Sequence, residues 1–118
     1  MANAVEHKKL KNQIRLKLGR RNDVVLWNNE SGVAKYGAYT VRYGVGKGGA
    51  DLIGILDGGK FLALEVKTGR ARCTKEQRMF LNLVDKFGGH AAVVRSVEDA
   101  EREVDIALGR PRAVPVDG

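Results

Sequence analysis

Two hydrophobic periods run through this chain, and the switches between them mark its elements. Over residues 4–18, Leu10, Ile14 and Leu18 recur at four-residue spacing, while Lys8, Lys11 and Arg15 lie mainly on the other side. That pattern predicts an amphipathic helix closed by Gly19. Asp23 to Trp27 reads as a strand with Trp27 in the core, followed by a polar turn from Asn28 to Gly32. Tyr39, Val41 and Tyr43 alternate with Thr40 and Arg42, which predicts a second strand or an extended arm. Gly44 to Gly49 is a glycine-rich loop around Lys47. Asp51–Leu56 and Lys60–Lys67 are the clearest strands, and Asp57-Gly58-Gly59 between them is a strong hairpin signal.

Thr74 then opens a helix as N-cap, with Gln77 three residues on to complete a capping box. Phe80, Leu83, Val84 and Phe87 are its expected buried face, and Gly88-Gly89 closes it. Ala91 to Val94 make a short apolar strand within residues 90–95. Ser96 caps a last helix running to the neighbourhood of Leu108, with Val97, Ala100, Val104 and Leu108 pointing inward. Residues 1–109 form the domain, and residues 110–118, with Pro111 and Pro115, form an irregular tail. The order α-β-β-β-β-α-β-α predicts a single small α/β domain, a mixed sheet flanked by helices.

Composition narrows the class. A chain of 118 residues, 43% hydrophobic and 30% charged, has the balance of a globular domain with one core. No stretch approaches the roughly 20 apolar residues of a membrane span. Met1 to Leu10 is polar and lysine-rich, without a signal-peptide core. The single cysteine, Cys73, excludes an internal disulfide framework. An intracellular, cytoplasmic setting is the expectation. The net charge of +7 is uneven: residues 1–49 carry ten Lys/Arg against three Asp/Glu, and the remainder balances. Lys8, Lys9, Lys11, Arg15, Lys17, Arg20 and Arg21 supply most of the excess, which suits a polyanion such as nucleic acid. The same charges also serve as a solvated helix face.

The hairpin sets up the candidate chemistry. With Asp57-Gly58-Gly59 as a three-residue loop, Leu56 pairs with Lys60 and Asp51 falls opposite Glu65. Opposed residues have Cβ atoms about 4.5–5.5 Å apart. Two carboxylates so placed repel, and a divalent cation between them removes the objection. Strand alternation puts Lys67 on the face of Glu65. Hard cations take carboxylates, backbone carbonyls and water, and leave positions for phosphate oxygens; the Val66 carbonyl is placed to join them. Metal-bound water is a better nucleophile, and a nearby ammonium can orient or deprotonate it. Gly46-Lys47-Gly48-Gly49 would let backbone approach a bulky polyanion. The plain alternative for Glu65 and Lys67 is a surface ion pair.

Gly49-Ala50-Asp51-Leu52-Ile53-Gly54, Glu65-Val66-Lys67, Thr74-Lys75-Glu76-Gln77-Arg78, and Gly88-Gly89 with Ala91-Ala92-Val93-Val94-Arg95-Ser96 follow one another in order. This string, over residues 6–96, resembles the VRR-NUC domain, the virus-type replication-repair nucleases of the PD-(D/E)XK superfamily. Alanine rather than proline precedes Asp51. The resemblance implies a restriction-endonuclease-like α-β-β-β-α-β core and a metal-dependent DNA endonuclease. It implies that Asp51, Glu65 and the Val66 carbonyl hold magnesium (Mg2+) or manganese (Mn2+), and that Lys67 is the catalytic lysine. Glu6 matches an acidic residue of the family's first helix near the metal, unless it is simply solvated. Gln77 matches a glutamine that supports the site; its capping role is compatible with that.

Arg70, Arg72 and Lys75 lie before a helix N-terminus and suit DNA phosphates, with Arg42 and Lys47 as weaker candidates. Tyr36, Tyr39 and Tyr43 read as core or dimer packing ahead of base stacking. His7 and His90 lack ligand partners at metal spacing and read as structural. A nuclease this small has no room for sequence-reading modules, so branched DNA such as a four-way junction is the expected substrate. Two cuts in a junction imply a homodimer, and replication or repair proteins are possible partners. A phage source fits such a minimal form. The competing class is a non-catalytic basic nucleic-acid-binding module on a nuclease scaffold; an RNase of the same chemistry is a third.

Overall fold

The computed structural model describes residues 4–30 and 32–109. The expected tail, residues 110–118, lies outside the described residues. In chain order the elements are α1 (Ala4–Leu18), β1 (Val24–Asn28), β2 (Gly32–Tyr36), β3 (Tyr39–Tyr43), β4 (Leu52–Leu56), β5 (Phe61–Val66), α2 (Lys75–Lys86), β6 (His90–Val94) and α3 (Val97–Ala107). Four strands form one sheet in the order β1-β4-β5-β6, and β2 and β3 form a second, two-stranded sheet. β1, β4 and β5 run antiparallel, whereas β6 lies parallel to β5. A parallel neighbour needs a crossover, and α2 provides it. The result is the expected mixed sheet flanked by helices.

The hairpin register follows the turn. Leu52 faces Leu64, Ile53 faces Ala63 and Ile55 faces Phe61. The Leu56 amide donates to the Lys60 carbonyl at 2.8 Å, and Gly59 donates back to the Leu56 carbonyl at 2.8 Å. Gly58 and Gly59 take φ of 95° and 93°, which a side chain would resist. A glycine pair is thus what allows the three-residue loop, and the loop fixes which residues meet further up the ladder.

One face of the sheet makes the core. Leu52, Leu56, Leu62, Leu64, Val66 and Val94 pack against Ile14 and Leu18 of α1 and Ala100 and Val104 of α3, all buried. The periodicities in α1 and α3 therefore describe these helices well. Arg21 ties the same corner together. Its guanidinium donates to both carboxylate oxygens of buried Asp23, at 2.9 and 3.0 Å, and to Asp105 of α3 at 2.7 Å. Bidentate pairing with Asp23 first, and Asp105 next, raises its pKa further above the usual arginine range. Arg21 thus belongs to the fold rather than to the free basic surface.

Other expectations are corrected. Trp27 is not in the core but 48% exposed, because strand alternation gives Val24 and Leu26 to the core and Val25 and Trp27 to the opposite face. On α2, Leu83 is exposed and Phe87 is 78% exposed; Phe80, Leu81 and Val84 are half-buried. A single helix covers only part of that sheet face, and among the described residues no further layer stands behind it. β2 was not expected, since Gly32, Ala34 and Lys35 have weak strand preference. It forms by pairing with β3, and Tyr36 and Tyr39 face each other at its tip, both exposed rather than packed in a core.

Candidate active site

β5 is buried from Leu62 through Val66, so Glu65 enters the fold with the strand and is only 2% exposed. Asp51 stands just before β4. Asn29 anchors it: the Asn29 amide donates to the Asp51 carbonyl at 2.9 Å, and its side chain donates to the Ala50 carbonyl at 2.9 Å and accepts from the Val45 amide at 3.3 Å. Asp51 Oδ2 then accepts from the Val66 amide at 3.0 Å, which ties the two strand ends together.

Lys67 extends the pairing past β5, its amide donating to the Val94 carbonyl at 3.0 Å. Its Nζ lies 3.2 Å from Glu65 Oε2 and donates to Gln77 Oε1 at 2.8 Å. The same Gln77 oxygen accepts from the Thr74 amide at 2.9 Å, while the Gln77 amide donates to Thr74 Oγ1 at 3.1 Å. The capping box and the support of Lys67 are therefore one structure. The start of α2 is locked by the very side chain that aims the lysine.

Burial first, and the Asp51 charge second, push the Glu65 carboxyl up to about 7; Lys67 pulls the other way. Two acids held close in a poorly solvated place, beside a backbone carbonyl, form an oxygen donor set that suits a hard divalent cation. Among the described residues, no three His, Cys, Asp or Glu side chains are already gathered around one point. Glu65 instead turns one oxygen to Lys67.

His7 was read as structural, and the structure puts it at this site. Its Nε2 lies 3.1 Å from Asp51 Oδ2 and 3.1 Å from the Val66 carbonyl oxygen. Glu6, the neighbouring residue on α1, is exposed. His90 is structural as expected, 2.7 Å from Glu103 of α3.

Arg70, Arg72 and Lys75 are all exposed along the segment from Lys67 into α2. Arg95 holds that segment in shape, donating to the carbonyls of Gly69 at 3.3 Å and Ala71 at 2.9 Å. Nothing in the local pattern pointed to Asn29 or Arg95, since both act over long sequence separations. Lys47 is exposed in the glycine-rich loop and Arg42 is exposed on β3, in the separate two-stranded sheet. Gly48 has φ of 81°, and a Cβ there would come within 2.5 Å of the Glu76 backbone. The close approach this glycine permits is to the first turn of α2.

Fold and site together define a small α/β domain with an acid, acid and lysine centre at the end of one hairpin. The VRR-NUC domain profile matches the chain over residues 3–98, and the chain belongs to that family. The family implies a nuclease-type function. No curated protein matches the chain. No helix among the described residues is long and apolar enough to cross a membrane.

Proposed function

We propose that this protein is a metal-dependent endonuclease that hydrolyses phosphodiester bonds in branched DNA, such as four-way junctions. The observation that carries the reading is Asp51 bound to the Val66 amide at the end of β5, where buried Glu65 pairs with Lys67 and Gln77 holds the lysine. Asp51, Glu65 and the Val66 carbonyl would hold magnesium or manganese. When bound, the cation activates water and offsets charge developing on the phosphate. Lys67 holds its Nζ beside that place, restrained by Glu65 and Gln77, where it orients the water or meets the developing charge. Glu6 remains a candidate further acid on α1. Arg70, Arg72 and Lys75 carry exposed positive charge next to the site, and Arg42 and Lys47 extend it; these residues bind phosphates on either side of the cut. Residues 1–109 constitute the nuclease unit, working inside the cell.

A junction is cut on two strands, so the reading takes a homodimer. An exposed apolar strip supports it: Val25, its cross-strand partner Ile55, and Trp27 lie on the sheet face that also carries Glu65. The retention of both acids and the lysine favours catalysis over a binding module on the same scaffold.

The test is cleavage of labelled linear duplex, single strand, flap, splayed arm and four-way junction, with magnesium, manganese or chelator. Metal-dependent cutting lost in Asp51→Ala and Lys67→Ala proteins is the expected result. Salt-sensitive binding without cutting on any substrate would transfer the protein to the binding-module class.

A further inference from the structure

His7 is the side chain in this site that the nuclease reading leaves without work. It sits in the first turns of α1, and its Nε2 reaches two oxygens from residues 44 and 59 positions away. Both are pure acceptors, a carboxylate oxygen and a backbone carbonyl. The ring nitrogen facing them therefore carries a hydrogen and shares it between the two. These are also two of the oxygens assigned to the cation. A proton lying between one nitrogen and two oxygens occupies a position where a metal ion can replace it.

The spacing agrees. Neighbouring donors about 2.1 Å from an octahedral ion stand about 3.0 Å from one another. Nε2 lies 3.1 Å from Asp51 Oδ2 and 3.1 Å from the Val66 oxygen. Two edges of a coordination shell are thus already near their final lengths. The exchange balances without an outside base, because an imidazole with a single ring hydrogen passes it from Nε2 through water to Nδ1 as Nε2 turns its lone pair to the metal. The His7 side chain is 33% exposed, which leaves water within reach of the ring.

Resting on the metal-site reading, we propose that His7 Nε2 is a direct ligand of the cation, and that it biases the site toward transition-metal ions over magnesium. Imidazole favours first-row transition metals, whereas magnesium keeps to carboxylate, carbonyl and water oxygens. A site with one nitrogen among its donors differs in this respect from an all-oxygen site. Histidine in place of an acid also leaves the bound site with one negative charge fewer.

The experiment uses manganese as the probe and pulsed electron paramagnetic resonance as the readout, on the full chain without DNA. Manganese bound at the site should show hyperfine coupling to an imidazole nitrogen. The chain has two histidines, which makes the assignment clean. The coupling should persist in His90→Gln and vanish in His7→Gln. By calorimetry, His7→Glu should lower the manganese-to-magnesium affinity ratio about tenfold, since a carboxylate replaces the nitrogen. Manganese that binds in an Asp51-dependent way with no imidazole coupling, or with coupling that survives His7→Gln, overturns the assignment and leaves the metal site standing. No Asp51-dependent manganese binding at all overturns the metal-site reading, and this inference with it.

Discussion

The two faces of the four-stranded sheet do different jobs. One is sealed by α1 and α3, and its leucines and valines are buried except for Leu26, which is partly so. The other is only partly covered by α2; it buries Glu65 on β5 and leaves Val25 and Trp27 of β1 and Ile55 of β4 exposed. The sealed face supplies the apolar burial that stabilises the domain. The open face holds a carboxyl whose ionised form burial disfavours, beside a second acid that disfavours it again. Stability and chemistry are thus separated by the pleat of single strands: Leu64 and Val66 go one way, Glu65 and Lys67 the other.

Substitutions should separate the faces, and the largest effect falls on the open one. Lys67→Ala or Asp51→Ala should lower the cleavage rate at least about a hundredfold, the low end for removing a group that acts in the transition state. Thermal unfolding should move little in comparison. A loss of fold on the same scale as the loss of rate would erase the distinction.

On the sealed face, Leu64→Ala should cost about 2–5 kcal/mol, the range for emptying a well-packed core position. Denaturant unfolding measures it. A cost under about 1 kcal/mol would mean that the two helices close over the gap.

Glu65→Gln reverses the sign. The Glu65 pKa lies near 7 in the fold against an ordinary 4.5. A raised carboxyl pKa means that ionisation opposes folding: the cost is full above pH 7, shrinks as pH falls and is gone below 4.5. In chelator at pH 8, Glu65→Gln should therefore be more stable than the parent, by about 2 kcal/mol. That advantage should fade toward pH 4.5, while cleavage is lost. Equal stability differences at both pH values would show that burial of this acid does not matter to the fold.

Gln77→Ala should cost about 1 kcal/mol as a lost capping-box partner. It should also slow cleavage through Lys67, so rate and stability fall together at this one residue. Gln77→Glu keeps an acceptor oxygen and should recover most of the stability. Smallest in stability is Trp27→Lys, expected within about 0.5 kcal/mol because the ring is half exposed. Its readout is mass in solution: a dimeric parent and a monomeric variant are expected from light scattering, and an unchanged mass would remove the apolar strip from the dimer interface.

Local signals carried much of this protein. The Asp57-Gly58-Gly59 loop dictated the register, and the register brought Asp51 toward Glu65 before any tertiary contact was known. Thr74 and Gln77 announced a helix start, and strand alternation put Lys67 with Glu65. Each depends on residues within one hairpin or one turn, where backbone geometry leaves few choices. The tertiary structure decided what joins these pieces from afar. His7 meets the Val66 carbonyl across 59 positions, and Arg95 holds the Gly69 to Ala71 segment from β6's far end. It also decided that Trp27, Leu83 and Phe87, apolar and correctly phased, stay in solvent. Periodicity says which side of an element is apolar. Whether another element covers that side depends on how many layers the chain can build, and the described residues build a full layer on one face of the sheet and half a layer on the other.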